Sequence, residues 1–121
     1  MKNQDKDFLS GKKVMITGAA SGIGKSCVVA FVEAGADVLA VDSNPQTLAA
    51  LAAEFKVATK VADLSTPEKF FPENLEIDIL INNAGISKDN LLLRMTPEQW
   101  NDVIQVNLNS VFNMTKQVIK P

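Results

Sequence analysis

The chain has 121 residues, enough for one domain with its own core. With 46% hydrophobic and 21% charged residues and a net charge of −2, it gives no electrostatic reason to expect a nucleic-acid or anionic-membrane partner. It has no histidine and no tyrosine, which excludes histidine acid–base catalysis, histidine metal sites and a tyrosine proton donor within this chain.

The polar start, Met1 to Asp7, has no apolar stretch behind it to make a signal peptide, and no apolar run is long enough to span a bilayer. The single cysteine, Cys27, has no intrachain partner for a disulfide and fits a reducing cytoplasm. Lys12 to Gly18 is a short apolar run ending in glycine and is predicted to be a buried strand. Gly22 to Ala34 has helical spacing, with Ile23, Cys27, Val28, Ala30, Phe31 and Ala34 as its apolar face and Gly35 as a left-handed cap. Asp37 to Asp42 forms a second strand. Pro45, at a first-turn position, opens a helix through Leu48, Leu51, Ala52 and Phe55.

Val57 to Ala62 is a third, weaker strand, and Thr66-Pro67-Glu68 opens a short helix. Ile77 to Asn82 is a fourth strand, followed by a loop from Ala84 to Met95. Thr96, Pro97 and Gln99 form a capping-box start for a helix whose apolar residues run from Trp100 to Ile119. The lone Cys27 and Trp100 are expected in the core. No internal repeat or linker divides the chain, so residues 1–121 are expected to form a single domain.

Apolar strands alternating with helices call for a parallel sheet covered on both faces. The expected class is α/β: the N-terminal half of a doubly wound, Rossmann-type sheet, about four strands ordered 3-2-1-4 with flanking helices. The fourth strand then has an open edge unless further chain or a partner covers it.

The sharpest motif is Thr17-Gly18-Ala19-Ala20-Ser21-Gly22-Ile23-Gly24, between the first strand and the first helix. Glycines there allow a tight turn and a close approach of backbone to a pyrophosphate. The helix that follows turns free N–H groups and its positive dipole end towards the phosphates. Asp42 ends the second strand. A carboxylate there can accept from both ribose hydroxyls of NAD and repels the extra phosphate of NADP. The plainer alternative is that Asp42 starts the turn before Asn44-Pro45.

The spacing Gly-x-x-x-Gly-x-Gly resembles that of the short-chain dehydrogenase/reductase family. Asp63-Leu64, Asn82-Asn83-Ala84-Gly85 and Val106-Asn107-Leu108 stand in the order of that family's further motifs. The resemblance implies a nicotinamide-dependent oxidoreductase whose cofactor lies against Thr17, Gly18, Ser21, Gly22, Ile23, Gly24 and Asp42. It also implies Asp63 on the adenine amino group, Leu64 as a neighbouring backbone contact, and Asn82, Ala84 and Gly85 along the adenosine ribose. Asp63 could instead simply start a helix. Asn83 is expected to be structural, tying neighbouring strands. NADP-using members usually carry Arg or Lys where this chain has Ser21 and Ser43, so the expected preference is NAD over NADP.

In that family a tyrosine passes the proton, a lysine lowers its pKa, a serine positions the substrate oxygen and an asparagine holds a water. Of these only the asparagine is present, as Asn107, whose alternative is an ordinary surface or capping residue. Lys116 and Lys120 follow no tyrosine and are expected to be solvated. The resemblance therefore implies a chain truncated before its catalytic tyrosine and inactive alone. A non-catalytic nucleotide-binding remnant, or an enzyme using some other acid, are the competing explanations.

Residues 82–112 are most similar to the 3-oxoacyl-[acyl-carrier-protein] reductases of the family, through Asp89 to Leu92, Arg94-Met95 and Glu98-x-Trp100-x-x-Val103-Ile104. That likeness implies an acyl-carrier-bound or small-molecule 3-oxoacyl substrate in fatty-acid synthesis. It also implies a cytoplasmic homotetramer at full length, assembled through helices corresponding to Thr96–Lys120. Another alcohol or hydroxyacyl dehydrogenase, or a non-enzymatic dinucleotide-binding module, is the alternative.

Overall fold

The computed structural model describes residues 8–63, 75–84 and 94–119. The short helix expected at Thr66-Pro67-Glu68 and most of the loop expected from Ala84 to Met95 lie outside these residues. Four strands, β1 (Lys13–Thr17), β2 (Asp37–Asp42), β3 (Ala58–Val61) and β4 (Ile79–Ile81), form one sheet in the order β3-β2-β1-β4. Every neighbouring pair is parallel, with Val14 opposite both Val38 and Ile79, and Asp42 opposite Val61. This is the predicted order, and the sheet is the doubly wound half expected from the alternation of strands and helices.

The period of two along β1 divides the core into two layers. Val14 and Ile16 join Val38, Ala40, Val28, Leu48 and Leu51 on the side of α1 (Gly22–Glu33) and α2 (Pro45–Phe55). Met15 joins Val41, Ala62, Met114 and Val118 on the opposite side, beneath the C-terminal helix. Burial on both faces explains the continuously apolar run of β1 and of the middle of β2, whereas β3, exposed along its length, is the weakest strand in sequence.

The helix ends follow their local chemistry. Asn44 caps α2, its side-chain oxygen accepting from the Gln46 and Thr47 amides at 3.0 and 3.1 Å, with Pro45 pre-set behind it. The same helix ends on Lys56 in a left-handed conformation (φ 55°). At the other end of the chain the expected capping box forms: Thr96 N–H donates to Gln99 Oε1 (2.9 Å), and Gln99 N–H donates to Thr96 Oγ1 (3.1 Å).

Three features differ from the sequence reading. The apolar face of α1 is narrower than expected: Val28 and Gly24 are buried, Cys27 and Phe31 half-buried, but Ala30 is exposed and Ile23 is 76% exposed. Ile23 lies in the first turn, at the open end of the sheet, where none of the described elements covers it. Trp100 is 53% exposed instead of being a core residue, because α3 (Pro97–Ile104) buries none of its residues. Finally, the helix from Pro97 to Val118 is interrupted by a π-helical turn at Gln105–Asn109 before α4 (Ser110–Val118) resumes the α-helical spacing. The wider turn shifts the register of the faces, so Met114 and Val118 reach the sheet while Leu108 and Phe112 stay exposed.

Candidate functional site

Parallel strands send all their carboxyl ends to one edge of the sheet. The crevice forms where successive connections leave in opposite directions. Here that point lies between β1 and β4, and Thr17, Asp42, Asp63, Asn82 and Ala84 all follow or end strands on that edge.

The turn from β1 to α1 is tethered from both neighbouring strands. The Ala19 amide donates to the Val41 carbonyl (3.2 Å), and the Ala20 amide donates to Asp42 Oδ2 (3.0 Å). From the other side, the Asn83 side-chain amide donates to the Gly18 carbonyl (3.1 Å). The turn thus bridges β2 and the end of β4.

Two glycines are required for different reasons. Gly22 has φ 57° and open space where a side chain would stand, so its need is conformational. Gly24 is buried, and a Cβ there would overlap the Gly18 carbonyl oxygen and come within 2.6 Å of Asn83 Nδ2. That close approach seats the start of α1 on the turn. Ser21, the N-cap, is extended and its side chain caps nothing. The first amides of an α-helix have no partner within the helix. At α1 they sit at an exposed, glycine-bearing end, an arrangement suited to an anionic group.

Thr17 ends β1 with its side chain inside the sheet. It is 1% exposed. Its hydroxyl donates to the Ile81 carbonyl (3.3 Å) and accepts from the amides of Asn83 (3.0 Å) and Ala84 (2.9 Å). This side chain staples β1 to the segment after β4. Asn83 is structural as expected, although it acts through its side chain as well as its backbone.

Asp42 takes the plainer of the two roles that the sequence offered, that of starting a turn. It sits at the edge, half-buried, and its Oδ1 accepts the Asn44 amide (3.2 Å), so it does start the turn into α2. Asp63 is exposed two residues beyond β3. Asn82 is exposed and its side-chain amide donates to Thr115 Oγ1 of α4 (3.3 Å). Ala84 is half-buried against the second core layer. Asn107 is half-buried within the π-helical turn, a feature that is frequent at functional sites. Leu64 and Gly85 lie outside the described residues.

Sequence reasoning missed the Ala20 amide as an anchored group and Thr115 as the partner of Asn82. A hydroxyl-bearing residue closing an otherwise apolar buried strand was the available signal for the Thr17 staple. Among the described residues no cluster of acidic or cysteine side chains could hold a metal ion, and no helix is long and apolar enough to cross a membrane.

The open turn at Gly22, the uncapped start of α1 and the acidic end of β2 fit a dinucleotide. Comparison with known proteins agrees. The model of the short chain dehydrogenase family matches residues 12–121. The chain is 42% identical to 3-oxoacyl-[acyl-carrier-protein] reductase FabG of Thermotoga maritima, over 92% of this chain and 50% of that protein. It is 37% identical to the Escherichia coli protein of the same name, over 91% and 49%. A short chain dehydrogenase from Mycobacterium smegmatis superposes with a TM-score of 0.82 at 29% identity, covering 92% of this chain and 51% of that one. The chain spans about half the length of the curated relatives it matches. It belongs to the short chain dehydrogenase family.

Proposed function

We propose that this chain is the cofactor-binding part of an oxidoreductase that prefers NAD and reduces 3-oxoacyl thioesters to 3-hydroxyacyl thioesters. The observation that carries the cofactor reading is the glycine turn between β1 and α1, open at Gly22 and facing Asp42. The substrate reading rests on likeness to relatives named 3-oxoacyl-[acyl-carrier-protein] reductase, at 37–42% identity over some nine-tenths of this chain.

In this reading the amides at the start of α1, with Gly18, Ser21, Gly22, Ile23 and Gly24, bind the pyrophosphate. Asp42 accepts from the ribose hydroxyls and disfavours a 2′-phosphate, with Ser21 and Ser43 supplying no cation to offset it. Asp63 and Leu64 line the adenine, and Asn82, Ala84 and Gly85 the adenosine ribose. Thr17 contributes indirectly: its hydroxyl accepts the Ala84 amide and so fixes the backbone that borders the cofactor. Asn107 holds a water in the proton relay. The nicotinamide supplies or takes the hydride when bound. With no tyrosine in the chain to pass the proton, binding without turnover is the behaviour proposed for these residues alone.

A cytoplasmic setting belongs to the same proposal, supported by the single half-buried cysteine, Cys27. So does a homotetramer at full length, supported by the exposed apolar stripe of Trp100, Leu108, Phe112 and Ile119. Calorimetric titration with NADH and NADPH tests the cofactor reading, and tighter NADPH binding would overturn the preference. Ketoreduction of a 3-oxoacyl thioester by a full-length protein carrying this sequence tests the substrate. NADH binding there without any ketoreduction would favour a non-catalytic module.

A further inference from the structure

The Asp42 carboxylate holds two backbone amides of its own chain, one of them in the turn it faces. Oδ1 takes the Asn44 amide two residues away, a local bond. Oδ2 takes the Ala20 amide across 22 residues, from β2 to the middle of the glycine turn. We propose that Asp42 is a positioning residue of that turn, and that cofactor selectivity at this position is tied to the geometry of the phosphate-binding backbone. The proposal rests on the cofactor reading above and adds a second role to the same side chain.

The distribution of tethers carries the argument. The first half of the turn is held twice, by Ala19 N–H on Val41 O and by Asn83 on Gly18 O. The second half, Ala20 to Gly22, has the Asp42 bond at one end and the first helical bond, Lys25 N–H to Ser21 O at 3.2 Å, at the other. Between them Ser21 makes no cap bond, and Gly22 is at φ 57° with open space where a Cβ would stand. Glycine has the largest conformational freedom to lose, so this stretch depends most on its anchor. A hydrogen bond to an ionised acceptor is shorter and stronger than a neutral one.

The two roles are compatible. An ionised carboxylate has about four lone-pair sites, and two are used by Ala20 and Asn44, so both oxygens retain capacity for ribose hydroxyls. Removing the carboxylate to admit a 2′-phosphate, however, also releases the Ala20 amide. An uncharged isostere separates the effects: Asp42→Asn keeps an acceptor for Ala20 and loses the charge, whereas Asp42→Ala loses both.

The test is amide hydrogen exchange at Ala20 in the full chain without cofactor, with Val14 deep in β1 as the control for global opening. It is paired with dissociation constants for NADH and NADPH. In Asp42→Ala, Ala20 exchange is expected to rise about tenfold relative to Val14, a loss of about 1.4 kcal/mol of local protection. In Asp42→Asn it stays near the wild-type value, and NADPH binds about tenfold tighter to Asp42→Asn than to Asp42→Ala. Asp42→Ser, whose hydroxyl is one bond too short to reach Ala20, replaces the alanine variant if that one does not fold. Unchanged Ala20 exchange in the alanine or serine variant, or equal NADPH affinity of that variant and Asp42→Asn, would overturn the proposal. Absence of NADH binding by the wild type would sink the cofactor reading instead, and the exchange result would still decide whether Asp42 positions the turn.

Discussion

Replacing Thr17 by valine keeps the shape of the side chain and removes one hydroxyl. Thr17 is the buried polar side chain among the described residues, at 1% exposure, and its oxygen accepts two backbone amides, those of Asn83 and Ala84. Valine leaves both without their acceptor. A buried donor without a partner costs about 1–3 kcal/mol. These two residues are half-buried, so the lower part of that range applies to each, about 2–4 kcal/mol together. The bond to the Ile81 carbonyl, at 3.3 Å, adds little. The extra buried methyl offsets about 0.8 kcal/mol, leaving a net loss of about 1.5–3 kcal/mol.

Serine makes the opposite change, keeping the hydroxyl and deleting a methyl, at a cost of about 1 kcal/mol. The expected order of stability is therefore wild type, then Thr17→Ser, then Thr17→Val. Urea denaturation read from the midpoint at constant slope measures it. A valine variant within about 0.5 kcal/mol of wild type, or more stable than the serine variant, would refute the staple. The valine variant should also lose cofactor affinity, because the segment after β4 is held to the sheet through this oxygen.

Gly24→Ala drives a Cβ into the Gly18 carbonyl, a backbone atom that cannot step aside. A loss of about 3 kcal/mol or more is expected by thermal denaturation, and a variant as stable as wild type would contradict the seating of α1. Lys56→Gly relieves a left-handed residue at the end of α2. Part of that gain is offset by the freedom glycine adds to the unfolded chain, leaving a rise of about 0.5–1 kcal/mol in urea. Asn44→Ala removes the α2 cap and should cost about 1 kcal/mol. Ser21→Ala caps nothing and should stay within about 0.5 kcal/mol of wild type, and equal losses would show the two caps to be alike.

Wherever one local rule acts alone, it is legible in this sequence. Pro45 behind Asn44, and Thr96 with Gln99, mark helix starts because capping involves residues two or three apart. The glycines of the first turn are readable because a tight turn followed by a helix needs them at set intervals. Exposure is less legible, because periodicity names a face and not what covers it. Ile23 and Trp100 are apolar residues at helical spacing, yet both are mostly exposed and none of the described elements buries them. The π-helical turn at Asn107 is invisible to a period of 3.6, and it redirects the faces of the helix beyond it.

The sequence by itself determined the alternation of strands and helices, the order of the sheet and the residues gathered at its carboxyl edge. Each follows from hydrophobic period, caps and the connection rules of parallel strands. Only the tertiary structure decided how those residues divide their work. Thr17 is drawn into the sheet to satisfy amides 66 and 67 residues away. Asp42 reaches 22 residues back to the turn it faces. Hydrogen bonds across such separations depend on which strands become neighbours and in what register, and one residue of slip would carry each side chain to the opposite face of the sheet.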